Sequence, residues 1–136
     1  MSRFLLDTSA FLALRDEEPG AERVAELIES SASGTHTCHA CFVTLMELLY
    51  RVWKDEGEEA GRKAYSMCLR LPIQWVHESS GLLERAAEIK ATVPLSFADA
   101  WIAASALELD AVLVHKDSEF EQAEGLKQER LPYKSR

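Results

Sequence analysis

Phe4-Leu5-Leu6-Asp7-Thr8-Ser9 is the stretch on which the fold turns. Three apolar residues make a short buried strand that halts at an acid, and Thr8 stands where it can cap a helix running from Ser9 to Arg15. The same alternation repeats downstream. Pro19 opens a second helix with Ala21, Val24, Ala25, Leu27 and Ile28 at its apolar positions, and Gly34 ends it. Thr35 to Ala40 reads as a strand and Val43 to Lys54 as a strongly apolar helix, while Gly57 and Gly61 bracket the start of another helix that reaches Leu71. Pro72 leads the strand Ile73 to Val76. Ser79 or Ser80 caps a helix to Ala91, Pro94 breaks the chain, and Ser96 caps a helix through Leu109. Ala111 to Val114 is an all-apolar strand, and Glu129 to Leu131 a last short one. Strands separated by helices need crossovers, so the expected class is α/β, a three-layer α/β/α arrangement with a mainly parallel sheet of about five strands.

Length and composition agree with one domain spanning residues 1–136. The 47% hydrophobic and 28% charged content is that of a globular chain, with no tract suited to a linker and no internal repeat. Fifteen Lys and Arg against twenty-three Asp and Glu leave a net charge of -8, which excludes nucleic-acid binding through a broad basic face. A polyanion would need a local cationic patch or metal ions. Three cysteines, Cys38, Cys41 and Cys68, suit a reducing compartment better than a disulfide framework, and no apolar run is long enough to span a bilayer. A cytoplasmic protein is expected. His36-Thr37-Cys38-His39-Ala40-Cys41 suggests zinc, but no second Cys or His pair follows it, and a strand with small buried residues is the simpler reading.

The informative residues are acids in apolar surroundings. Asp7 is the only charge between Arg3 and Arg15, Glu47 the only one between Glu29 and Arg51, and Asp99 the only one between Lys90 and Glu108. Burying an unpaired carboxylate is costly, so each needs a reason. Asp7 and Asp117 both lie at the carboxyl ends of expected strands, the edge of a parallel sheet where ligands bind. Converging acids repel unless cations compensate, and an oxygen-only donor set favours Mg²⁺ or Mn²⁺. Each acid also has a plainer reading. Asp7 is placed to cap the following helix, Glu47 to pair with Arg51 four residues on, Asp99 to close a capping box with Ser96, and Asp117 to sit in an ordinary turn.

Taken together, Asp7-Thr8-Ser9, Thr44-x-x-Glu47, Ala98-Asp99-Ala100 with Ile102-Ala103-Ala104, and Val114-His115-Lys116-Asp117 resemble the PIN domain, and within it the VapC-like toxins, over Phe4 to Phe120. The resemblance implies a single PIN-like domain acting as a metal-dependent endoribonuclease, the toxin of a type II toxin–antitoxin pair. Asp7, Glu47, Asp99 and Asp117 would be its catalytic, metal-holding acids, with Ser9 and His115 behind them. His115 is a departure, since many members carry Thr or Ser there, and an imidazole is larger and titrates near neutrality. Arg15, Arg51, Lys54 and Lys116 are the cations expected to meet RNA. An antitoxin and a second copy of the chain are the expected protein partners. Phe11, Leu12, Leu49, Tyr50 and Trp53 supply more apolar surface than one small core needs. The competing reading is a catalytically idle PIN-like module that binds protein or RNA.

Overall fold

A computed structural model describes residues 2–133. Its five strands are β1 (Arg3–Leu6), β2 (Thr37–Cys41), β3 (Gln74–Val76), β4 (Val112–His115) and β5 (Gln128–Arg130). They form one sheet in the order β3-β2-β1-β4-β5, parallel at every pairing. Helices α1 (Thr8–Arg15) and α2 (Ala21–Ser33) connect β1 to β2, α3 (Phe42–Glu56) and α4 (Glu58–Leu69) connect β2 to β3, and α5 (Ser80–Thr92) and α6 (Phe97–Leu109) carry the chain back to β4. A short 3₁₀ turn, Ser118–Gln122, follows β4.

The direction of travel reverses between β1 and β4. Strands are laid down outward from β1 through β2 to β3, then the chain returns to the other side of β1. With right-handed crossovers, the two directions put their helices on opposite faces of the sheet. The cores bear this out. Phe4, Leu6, Cys38, Ala40 and Val114 pack with α1, α2, Leu48 and Cys68, whereas Leu5, Cys41 and Leu113 pack with α5 and α6. Alternate residues of each strand thus serve alternate layers. Ala100, Ala103, Ala104 and Ala106 are buried on α6 and bring that helix close to the strands.

Several element ends differ from expectation for local reasons. Asp7, not Thr8, caps α1, because its carboxylate accepts the Ala10 N–H at 2.9 Å and frees Thr8 to enter the helix. Helix α2 starts at Ala21 behind a left-handed Gly20 rather than at Pro19. Gly61 lies inside α4, not at its start: a Cβ there would come within 2.7 Å of the Leu49 carbonyl and 2.8 Å of Trp53 Cβ, so its lack of a side chain permits the α3–α4 crossing. Phe11, expected at the surface, is in the core and stacks on Trp75, while Tyr50 and Trp53 stay exposed.

Candidate metal centre at the carboxyl edge of the sheet

Where the winding reverses, β1 and β4 lie side by side and their carboxyl ends open a crevice between the two helical layers. Leu6 pairs with Val114, and the Asp7 N–H donates to the Val114 carbonyl at 3.1 Å. Asp7 therefore leaves β1 at the floor of the crevice, only 3% exposed. The Ser9 hydroxyl donates to both of its carboxylate oxygens, at 2.7 and 2.8 Å, and accepts the backbone N–H of Lys116 at 2.9 Å. One hydroxyl thereby ties the end of β1 to the segment leaving β4.

Asp99 enters from α6. Ser96 caps that helix by accepting the Asp99 N–H at 3.1 Å, which leaves the Asp99 carboxylate in the first turn, favoured by the helix dipole. Asp117 enters from the turn after β4, where one of its oxygens accepts the Glu119 N–H at 3.0 Å. That turn folds Glu119 back toward its neighbours, so carboxylate oxygens of Asp99, Asp117 and Glu119 all lie within 4.8 Å of one another. Glu47 lies on α3 at the opposite wall. It accepts a 2.6 Å hydrogen bond from Thr8, whose oxygen lies 3.0 Å from the Thr44 hydroxyl, and it makes no ion pair with Arg51 among the described residues. Since the Thr8 hydroxyl donates to Glu47, it accepts from Thr44, which gives a relay of two buried hydroxyls ending on the carboxylate.

Electrostatics show how strained this gathering is. Burial, opposed by the Ser9 and Ala10 hydrogen bonds and reinforced by Asp99 and Asp117, pushes the Asp7 carboxyl up to about 7. Burial and the adjacent Asp117 push Asp99 up to about 7 as well, with Glu47 adding to the repulsion. These four acids thus share one electrostatic neighbourhood, although only Asp99, Asp117 and Glu119 form a tight cluster. Its donors are all carboxylate oxygens, and no His or Cys joins them among the described residues, which fits a hard divalent cation rather than zinc.

His115 does not stand among these acids. It is fully buried, its Nδ1 accepts the Asp117 N–H at 3.0 Å, and its Nε2 therefore carries the proton donated to Gln128 Oε1 at 2.9 Å. Burial lowers its pKa, so the imidazole is held neutral.

The expected RNA-binding cations fare unequally. A polar groove of about 390 Å³ runs from Ser9 past Arg51 and Lys116 to Tyr133. Arg15 lines it but is committed to both oxygens of Glu56, at 2.7 and 2.9 Å, and to Asp16. Lys116 is 9% exposed, near Glu18, and donates to the Pro19 carbonyl. Arg51 is exposed with no ion pair among the described residues, and Lys54 does not line this groove.

The PIN domain family model matches residues 4–126. The chain belongs to the PIN domain family. Among solved structures, DNA-bound VapBC from Salmonella typhimurium is similar at a TM-score of 0.77 and 22% identity, covering 96% of this chain and 98% of that one. VapBC2 from Rickettsia felis, bound to a promoter DNA fragment, gives 0.76 and 18% over 96% and 99%. VapC20 from Mycobacterium tuberculosis, described as a sarcin-ricin loop cleaving toxin, gives 0.68 and 20% over 87% and 92%. No curated protein sequence matches. These three structural neighbours of the PIN domain are two VapBC structures and one VapC toxin.

Glu119 was the functional candidate that sequence reasoning passed over. It stands two residues after Asp117, but in a loop the spacing alone does not say whether two acids meet at one site. The turn in which the Asp117 side chain accepts the Glu119 N–H sets that here.

Proposed function

We propose that this PIN domain is a Mg²⁺- or Mn²⁺-dependent endoribonuclease and the toxin of a toxin–antitoxin pair. The observation that carries the reading is the convergence of carboxylates from β1, α6 and the turn after β4 at one sheet edge, with Asp7 and Asp99 both raised to about 7 when no cation balances them. Asp99, Asp117 and Glu119 would offer direct ligands, and Asp7 and Glu47 would hold the ion directly or through water. A divalent cation held there would supply an activated water and charge neutralisation for phosphodiester hydrolysis. The chain's own part is positional. Ser9 fixes both oxygens of Asp7, the Thr44–Thr8 relay fixes Glu47, and Ser96 fixes the helix turn bearing Asp99. Arg51, one turn beyond Glu47 and facing the polar groove, is placed to meet a phosphate flanking the scissile bond.

The partners follow from the neighbours and the surface. A second groove, about 700 Å³, is lined by Phe11, Leu14 and Leu48 against Met67, Cys68 and Leu71, and suits a short apolar antitoxin segment. Met46, Tyr50 and Trp53 are exposed along α3 at helical spacing and suit a second copy of the chain. No helix among the described residues is long and apolar enough to cross a membrane, and Cys38, Cys41 and Cys68 are free thiols, in keeping with a cytoplasmic toxin. The His115 departure, the feature that favours an idle module, subtracts no carboxylate: the imidazole bonds to Gln128 and the Asp117 backbone.

The test is cleavage of total RNA with Mn²⁺, with Mg²⁺ and with chelator, comparing the parent with Asp7→Asn and Asp99→Asn. Cleavage should need the cation and fall at least about a hundredfold in each variant, as expected for loss of a group acting directly in the reaction. Unchanged activity in both variants, or in chelator, overturns the assignment.

A further inference from the structure

The turn that presents Asp117 and Glu119 is held from within by the Glu119 and Phe120 N–H bonds to Asp117 and by the buried Phe120 side chain, while its acid-bearing part faces solvent. Ser118 and Glu119 are exposed, and the Asp117 and Asp99 carboxylates repel. A further anchor comes from β5, the strand that begins nine residues after Glu119. The Gln128 side chain uses both ends of its amide: Oε1 accepts from His115 Nε2 at 2.9 Å, and Nε2 donates to the Phe120 carbonyl at 2.8 Å. His115 in turn accepts the Asp117 N–H at 3.0 Å, and its ring packs against Phe120 with centroids 5.1 Å apart. A single amide thus spans the turn, reaching one end through the imidazole and the other through the backbone carbonyl. The two bonds also fix each other, because rotating the amide by half a turn would face donor to donor at His115 and acceptor to acceptor at Phe120.

We infer that Gln128, acting through His115, is a positioning residue for the cation site, holding the 117–120 turn so that Asp117 and Glu119 stay beside Asp99 against their mutual repulsion. The inference rests on reading the acids as a divalent-cation site. It also accounts for the imidazole at a position where a hydroxyl was expected: only a ring with an acceptor on one nitrogen and a donor on the other can join the Asp117 backbone to β5. Neither residue touches substrate in this reading.

The full-length chain is tested as Gln128→Met, which keeps length and removes both bonds, and as His115→Asn and His115→Leu, since an Asn amide oxygen falls near the place of Nδ1 and Leu offers no acceptor. Mn²⁺ affinity is measured by calorimetric titration, and backbone amide exchange is followed over residues 116–122. Gln128→Met should bind Mn²⁺ about tenfold more weakly, the size typical when an outer-shell partner is removed. Exchange in the turn should quicken while β1 and α6 remain as protected as in the parent. His115→Asn should retain more Mn²⁺ affinity than His115→Leu. A purely structural role would lower the melting temperature of all three and leave Mn²⁺ affinity at the parent's value, and that result overturns the inference. Should Gln128→Met fail to fold, equal Mn²⁺ affinity in His115→Asn and His115→Leu overturns it. If the parent itself binds no Mn²⁺, the nuclease reading fails, and amide exchange still decides: a turn as protected in the variants as in the parent overturns the positioning role.

Discussion

Asp7 is asked to do two things by its position, and they pull in opposite directions. Its carboxylate caps α1, a stabilising contact, yet it sits buried beside Asp99 and Asp117, which raises its pKa from 3.8 to about 7. A carboxyl raised in this way binds its proton more tightly in the folded chain than in the unfolded one. Stability of the cation-free protein is therefore fullest below about pH 4 for this group and is lost as pH rises toward about 7. Asp99 adds to the loss in the same direction. Asn keeps the cap and removes the charge. Asp7→Asn is thus expected to melt above the parent in chelator at pH 7.5, by several degrees if about 1 kcal/mol moves the melting temperature by roughly 3–5 °C. At pH 5, where the parent's Asp7 is mostly protonated, the gap should shrink. Excess Mg²⁺ should also close it, because the parent gains binding free energy that the variant lacks. Calorimetric melting curves at the two pH values check this, and a variant less stable than the parent at both would show that Asp7 is a structural cap and no part of a charged cluster.

At the level of elements, α3 and α4 show what a chain pattern conveys and where it stops. The apolar spacing of α3 and the strand-helix alternation were readable because burial imposes a period; Asp7, Glu47 and Asp99 stood out because charge is rare inside such elements, and Asp117 by its place at a strand's carboxyl end. What was not readable depends on contacts between one element and its neighbour. Gly61 looks like a helix-start glycine in sequence, yet its role is set by the Leu49 carbonyl and Trp53 of the neighbouring helix. Likewise nothing local in Gln128 announces that its amide reaches both His115 and Phe120. Among the acids, Asp7, Asp99 and Asp117 were legible from strand and helix ends, whereas Glu119 required the geometry of one turn. The Gly61 contact makes its own prediction. Ala is a better helix former by about 1 kcal/mol, so an isolated helix would gain from Gly61→Ala. Here the added methyl must push α4 off α3, and the expected outcome is a net loss of about 1–3 kcal/mol in urea unfolding. A gain in stability would mean the two helices separate at little cost.

For the molecule as a whole, the net charge of -8 governs how it can meet RNA. Several of its cations are already engaged among the described residues: Arg15 with Glu56 and Asp16, Arg23 with Glu26 and Glu129, Arg85 with Glu108 and Lys127 with Asp110. Exposed pairs of this kind are individually weak, but each still cancels a charge that a phosphate would otherwise see. Few phosphates are therefore neutralised by side chains, and affinity should depend only shallowly on salt, since each phosphate neutralised on a single strand contributes about -0.7 to the slope of log K against log salt. Arg51 is the groove cation that no acid holds among the described residues. Arg51→Ala should weaken binding of a single-stranded RNA in Ca²⁺, used in place of Mg²⁺ to suppress cleavage, and lower the slope by about 0.7. Arg15→Ala should leave the slope near the parent's value, because removing Arg15 also releases Glu56 as an uncompensated charge. Fluorescence anisotropy across a salt series separates the two. If Arg15→Ala flattens the slope and Arg51→Ala does not, the RNA must displace Glu56 from Arg15, and the Arg15–Glu56 pair is then the phosphate-binding point of the groove.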